Sequence, residues 1–75
     1  MDKEAFLDEL ADILDVDAVE ETANFRDYTS WDSLAILSVV SIADSKFGFT
    51  LTIQDIKDLT TVADLWAFFA KNRIK

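Results

Sequence analysis

The fold of this chain is decided by one stretch, WDSLAILSVVSIADSKFG, which occupies residues 31–48. Apolar side chains recur through it at the three- and four-residue spacing of an amphipathic helix. We predict a helix that begins at Asp32 or Ser33, either of which can cap it, and ends at Gly48, the only glycine. At about 100° per residue, one face is apolar and the other polar, with Leu34 and Leu37 lying on the polar face.

Three further helices are predicted around this one. Apolar spacing after Asp2 predicts a helix over residues 3–14, and a cap at Thr52 predicts a short helical turn. The same capping signal at Thr61 opens a last helix. Residues 15–31 then form a long loop, unusual in so small a domain, in which Val19, Phe25 and Tyr28 are expected to pack against the core.

These elements predict an all-α fold, an antiparallel bundle of three main helices and one short one, with the long loop between helices one and two. Residues 1–75 are expected to form one domain, because the chain has room for a single core. The predicted core consists of Phe6, Leu10, Ile13, Val39, Ala43, Phe47, Val62, Leu65 and Phe69.

Composition excludes several classes of site. The chain has no cysteine and no histidine, which removes disulfides, thiolate metal sites, the usual zinc ligand and the usual general base. Loop residues from Asp15 begin like a calcium-binding loop but fail at Val19, Glu20 and Arg26. We therefore expect neither a catalytic residue nor a metal site.

Charge and hydropathy indicate which partners the chain binds and where in the cell it is expected. Residues 1–32 hold eleven acids and two bases, whereas residues 33–75 hold four acids and five bases. Such an acidic field repels nucleic acid and anionic lipid and favours basic protein partners. No apolar run approaches the roughly 18 residues of a membrane span, and Met1-Asp2-Lys3-Glu4 lacks the basic region of a signal peptide. We expect a cytoplasmic monomer with no membrane insertion.

Ser33 is the most informative residue, because it lies where the long loop meets helix two. A helix N-terminus presents free backbone N–H groups and favours an anion, so a phosphate group attached to Ser33 would be stabilised there. A second interpretation is purely structural, in which Asp32 or Ser33 only caps the helix. The apolar Leu34 next to an exposed serine favours a surface that partners contact.

Taken together, these motifs resemble the acyl carrier protein family. The resemblance covers nearly the whole chain: Ala23-Asn24-Phe25 in a long loop, Asp32-Ser33-Leu34 at the start of helix two, Phe47-Gly48 at its end, and a final run from Leu59 to Leu65. The tripeptide alone is a weak signal, but the combination and its spacing are specific. The Trp31-Asp32-Ser33-Leu34 form is similar to that of discrete, free-standing carriers.

The resemblance implies that Ser33 is the attachment point of 4′-phosphopantetheine, donated by coenzyme A and transferred by a phosphopantetheinyl transferase. Asp32 would contact the transferase or its magnesium. The residues that border the arm and contact partners would be Leu34, Leu37, Ile56 and Leu59. The other partners would be acyl-loading and acyl-processing enzymes of the ligase, ketosynthase or acyltransferase type. The protein itself would be a carrier and not an enzyme.

Two departures from the family pattern affect these expectations. The family often has leucine and glycine where this chain has Thr29 and Ser30, so the turn before Ser33 is expected to differ. Acids common near the family serine are replaced here by Ala35 and Ser38. Docking on helix two is therefore expected to be less electrostatic and less sensitive to salt than is usual.

Two alternatives and one hypothesis on cargo remain open. An aminoacyl or peptidyl carrier of a nonribosomal-type pathway would share the fold and the serine, and an unmodified helical interaction domain would use Ser33 only as a cap. The many aromatic side chains are expected to fill the interior, which leaves little room for a long acyl chain and favours short or polar cargo.

Overall fold

A computed structural model describes all 75 residues and contains four α-helices and no strand. The helices are α1 (Lys3–Ile13), α2 (Ser33–Ile42), α3 (Ile53–Lys57) and α4 (Val62–Asn72). None of these helices combines the length and the apolar character needed to cross a bilayer. The predicted all-α fold with three longer helices and one short one is confirmed.

Side-chain caps start the helices where the sequence predicted them. The Asp2 carboxylate accepts the Ala5 N–H at 2.9 Å at the start of α1. Thr52 and Thr61 each form a reciprocal capping box with the acid three residues later, at the starts of α3 and α4. The hydrogen bond from the Thr61 backbone N–H, reinforced by the Thr61 hydroxyl, lowers the pKa of the Asp64 carboxyl below its ordinary value.

One continuous core joins the helices, and aromatic side chains dominate it. The Phe6 and Phe69 ring centroids lie 4.8 Å apart, and those of Phe47 and Phe69 lie 5.1 Å apart. Eight of the nine predicted core residues are buried, but Ile13 is only half-buried because it lies at the edge of α1. The core contains Phe6, Leu10, Leu14, Phe25, Ala35, Val39, Ala43, Phe47, Leu51, Ile56, Val62, Leu65 and Phe69.

The end of the second helix differs from the prediction. Residues Ala43–Phe47 continue α2 as a turn of π-helix, in which the Ala43 carbonyl accepts from the N–H groups of Gly48 and Phe49. Gly48 then reverses the chain at a φ of 75°, as predicted for a glycine after a helix. The Phe47 carbonyl, at the end of this turn, accepts the backbone N–H groups of Ile74 and Lys75.

The long loop is held against the start of α4, and its residue Phe25 is fully buried. Val62 N–H donates to the Ala23 carbonyl and Ala63 N–H to the Glu21 carbonyl, both at 2.9 Å. Val19 and Tyr28 are half-buried and pack against the core, as predicted. The loop therefore has a definite path that leads into the first residue of α2.

Arg26 ties this loop to the C-terminal end of α3. Its guanidinium donates to the Leu59 carbonyl at 2.6 Å and to the Ile56 carbonyl, and it lies 4.6 Å from the centroid of the Phe25 ring. The Leu59 carbonyl has no backbone N–H partner, so Arg26 satisfies it, whereas the Ile56 carbonyl also accepts the Leu59 N–H.

Replacing Arg26 by alanine is expected to lower the free energy of unfolding by about 1–3 kcal/mol, because two charge-assisted hydrogen bonds are lost. Arg26→Lys should fall between alanine and wild type, since an ammonium group cannot hold both carbonyls in the fork geometry of a guanidinium. Urea unfolding followed by circular dichroism measures both. Equal stability of all three proteins would contradict a role for this contact.

Candidate functional site

Ser33 is exposed at the first position of α2, and its neighbour Asp32 caps the helix. The Asp32 carboxylate accepts the Ala35 N–H at 3.0 Å through one oxygen. No protein group forms a hydrogen bond with the Ser33 hydroxyl, whereas Ser38 and Ser45 donate to carbonyl groups of their own helix. Of the two capping candidates, Asp32 takes the role and Ser33 is left with a free hydroxyl.

The backbone around Ser33 suits a phosphate ester. Ile36 N–H bonds to the Asp32 carbonyl and Ala35 N–H to the Asp32 side chain. The N–H groups of Ser33 and Leu34 lie in the first turn, where the helix supplies no acceptor. Together with the partial positive charge of the helix N-terminus, they can stabilise an anion attached to the serine. The residues present therefore fit a phosphopantetheine group on Ser33.

Aromatic packing fixes the turn that precedes the serine. Trp31 N–H donates to the Tyr28 carbonyl at 3.0 Å, and the Trp31 ring packs edge-on against buried Phe25 with centroids 4.8 Å apart. The Tyr28 hydroxyl accepts the Glu20 N–H at 3.1 Å. The turn through residues 29–30 is therefore held at both ends by the loop's own side chains, without a glycine.

The four leucine and isoleucine residues predicted to border the arm do not share one environment. Leu34 and Leu37 are 72% and 64% exposed, which agrees with their predicted place on the polar face of α2. Leu59 is half-buried. Ile56 is only 4% exposed, so its predicted place on the exposed surface is wrong: α3 turns this side chain into the core.

The structure adds a reason for the departure from the family pattern at Ala35. The resemblance placed it where the family often has an exposed acid, but here Ala35 is 3% exposed and belongs to the core. An acid at this position would lose its hydration in the core, which is costly. The burial of Ala35 therefore explains why this position carries no charge.

Sequence reasoning did not identify the part of α1 that lies beside Leu34 and Leu37. Glu9, Asp12 and Ile13 of α1 and Leu34, Leu37 and Ile42 of α2 line an open groove of about 620 Å³, called here the α1–α2 groove. Helical spacing showed which residues share a face of α1, but no sequence signal showed that this face lies next to α2. Elsewhere, the structure brings together no group of three acids, histidines or cysteines suited to a metal ion.

Comparison with known proteins agrees with this geometry. The family model described as a phosphopantetheine attachment site matches residues 4–69. An acyl carrier protein of Beutenbergia cavernae is 33% identical over 57 residues, covering 76% of this chain and 70% of that protein. An acyl carrier protein of Myxococcus xanthus is 34% identical over 68 residues, with coverage of 83% and 86%. One from Acidothermus cellulolyticus is 33% identical, with coverage of 93% and 90%. No solved structure matches the chain significantly.

Proposed function

This chain belongs to the acyl carrier protein family, and we propose that it carries acyl intermediates as thioesters on a 4′-phosphopantetheine arm attached to Ser33. Members of the family are carriers and not enzymes, and phosphopantetheine is their prosthetic group. One observation carries the assignment to Ser33: its hydroxyl is exposed at the tip of α2 and free of hydrogen bonds, because Asp32 provides the cap. When bound, the group supplies a thiol that holds the acyl group as a thioester.

Attachment requires one displacement at phosphorus. The Ser33 Oγ attacks the phosphorus of coenzyme A that bears the pantetheine, and the new Oγ–P bond replaces the bond to the departing adenosine bisphosphate. The hydroxyl proton goes to a base on the transferase, since this chain has no histidine. The second oxygen of Asp32 remains available to contact the transferase or its magnesium, while the carboxylate as a whole would repel the phosphate.

The partners are a phosphopantetheinyl transferase and the enzymes that load and process the acyl group, of the ligase, ketosynthase or acyltransferase type. Exposed Leu34 and Leu37 supply the apolar contacts of α2, and half-buried Leu59, which lines the groove beside α4, is proposed as a further contact. We propose that residues 1–75 act as a single carrier domain, which one continuous core with side chains from all four helices supports. The carrier works as a cytoplasmic monomer that presents its arm to each enzyme in turn, which raises the local concentration of the cargo.

Short or polar cargo fits this interior better than a long acyl chain. Phe6, Phe47 and Phe69 fill the centre of the bundle, and the three grooves on the molecule are open to solvent. A long chain would have to displace packed side chains, which is costly in a close-packed core. We expect NMR signals of these rings to remain unchanged when acyl chains of increasing length are loaded, and progressive shifts with chain length would contradict this.

The function is tested by incubating the protein with coenzyme A and a promiscuous phosphopantetheinyl transferase. Intact mass should increase by one phosphopantetheinyl group, and peptide mapping should locate it on Ser33. An unchanged mass, or a group on another residue, would overturn the proposal. Loading the resulting thiol with acyl donors, compared with amino acids and an adenylating enzyme, then distinguishes an acyl carrier from an aminoacyl carrier.

A further inference from the structure

We infer that the α1–α2 groove is a docking surface for the basic faces of the enzymes that act on Ser33, with α1 supplying the negative charge that α2 lacks. This inference rests on the proposed function, because the partners are the enzymes that reach the Ser33 arm. The groove begins beside the attachment site, since Leu34 follows Ser33 directly and lines it. An enzyme placed over Ser33 therefore contacts the groove without any change in the carrier.

The charge in the groove lies on one wall. Glu9 and Asp12 are exposed and one turn apart on α1, and no cation lines the groove with them. Neither carboxylate forms an ion pair or hydrogen bond within the chain, whose one ion pair joins Lys3 to Glu21 at 2.5 Å. Two unpaired carboxylates beside an apolar surface are complementary to a protein face that presents arginine or lysine next to an apolar side chain.

The other wall, formed by α2, presents exposed leucines. Leu34 and Leu37 lie one turn apart on α2. Ser38, Ser41 and half-buried Ile42 line the groove from the same helix, and half-buried Ile13 lines it from α1. Exposed leucines next to each other on a small acidic domain favour a contact surface. Burying them against a partner would provide apolar affinity, while the acids of α1 would guide its approach and orientation.

The other two grooves lack this combination. One, between α1 and the loop, is lined by Glu4 and Asp8 but also by Lys3, whose charge is paired with Glu21. The other, beside α4, has Lys71 among its acids. Neither contains a largely exposed leucine. The α1–α2 groove alone joins unpaired acids to exposed leucines, and it is the groove that includes a neighbour of Ser33.

The side chains of α2 alone predict that enzyme docking depends only weakly on salt. With the acids of α1 included, we expect docking to depend more strongly on salt. We expect the double variant Glu9→Gln/Asp12→Asn to reduce kcat/KM for phosphopantetheinyl transfer by roughly fivefold at low ionic strength, as for the loss of two exposed ion pairs. The reduction should disappear at high salt, where such pairs are screened. Intact-mass assays with a promiscuous transferase across a range of salt concentrations measure this.

The matched control is Glu4→Gln/Asp8→Asn, which removes the same charge from the same helix, at the groove between α1 and the long loop. Equal losses in the two double variants would indicate a general field effect and overturn the inference, and so would no loss in either. In a titration of labelled carrier with the transferase, amide signals of Glu9 and Asp12 should shift together with those of Leu34 and Leu37. Failure of the wild type to be loaded would instead overturn the proposed function, so the two failures are distinguishable.

Discussion

Ser33→Ala should abolish phosphopantetheinylation completely while leaving the fold intact. The only hydroxyl at the start of α2 that is free of hydrogen bonds would be lost, and no other group on the chain occupies an equivalent helix tip. Alanine is well tolerated inside a helix, and Asp32 continues to cap α2 by accepting the Ala35 N–H. Intact mass after incubation with coenzyme A and a transferase measures the loss, with circular dichroism as the test of folding.

Ser45→Ala is the matched control for this prediction. Ser45 also lies on the exposed side of the second helix, but its hydroxyl donates to the Ser41 carbonyl at 2.8 Å and it does not line the α1–α2 groove. This variant should be loaded at the wild-type rate. If the Ser33→Ala variant were loaded to the same extent as the wild type, the arm would be attached at another residue.

Leu10→Ala should have the largest effect on stability, lowering the free energy of unfolding by about 2–5 kcal/mol. Leu10 is 1% exposed and lies in the aromatic core, so truncation leaves a cavity that close-packed neighbours fill only in part. A domain of this length is expected to have about 4–11 kcal/mol of stability in all, so the variant would lose a large fraction of it. Urea unfolding measured by circular dichroism gives the difference.

Leu34→Ala is the control of identical chemistry. Its side chain is largely exposed, and its truncation should change stability by less than about 0.5 kcal/mol. The two leucines therefore have different roles. Leu10 stabilises the core, and Leu34 is proposed to contact enzymes. Similar losses of stability in both variants would contradict the burial that distinguishes them.

Local chemistry explains why much of the fold was predictable. Asp2, Thr52 and Thr61 act as caps because an oxygen at that position satisfies a backbone N–H whatever the tertiary context. Gly48 ends the second helix because its φ of 75° is strained for other residues. Helical spacing did not predict the π-helical form of the last turn, in which the Ala43 carbonyl accepts the N–H groups of Gly48 and Phe49.

Packing between elements explains the errors. Ile56 was expected on the surface near the arm, but the short α3 turns it into the core. Ile13 was expected in the core and instead lines the α1–α2 groove. Both residues have the apolar character and spacing of a helix face that meets another helix. A pattern of this kind does not indicate which side of a short helix packs against the core, or how many of its residues that packing buries.

The amino-acid sequence by itself determined the number and order of the helices, their caps and the place of Ser33 at the start of the second helix, because each depends on interactions within a few residues. The tertiary structure alone decided that Ala35 and Ile56 are buried, and that Glu9 and Asp12 lie beside Leu34 and Leu37. Helical periodicity specifies which side chains share a face. Which neighbour lies next to that face follows only from how all the helices fill one common core.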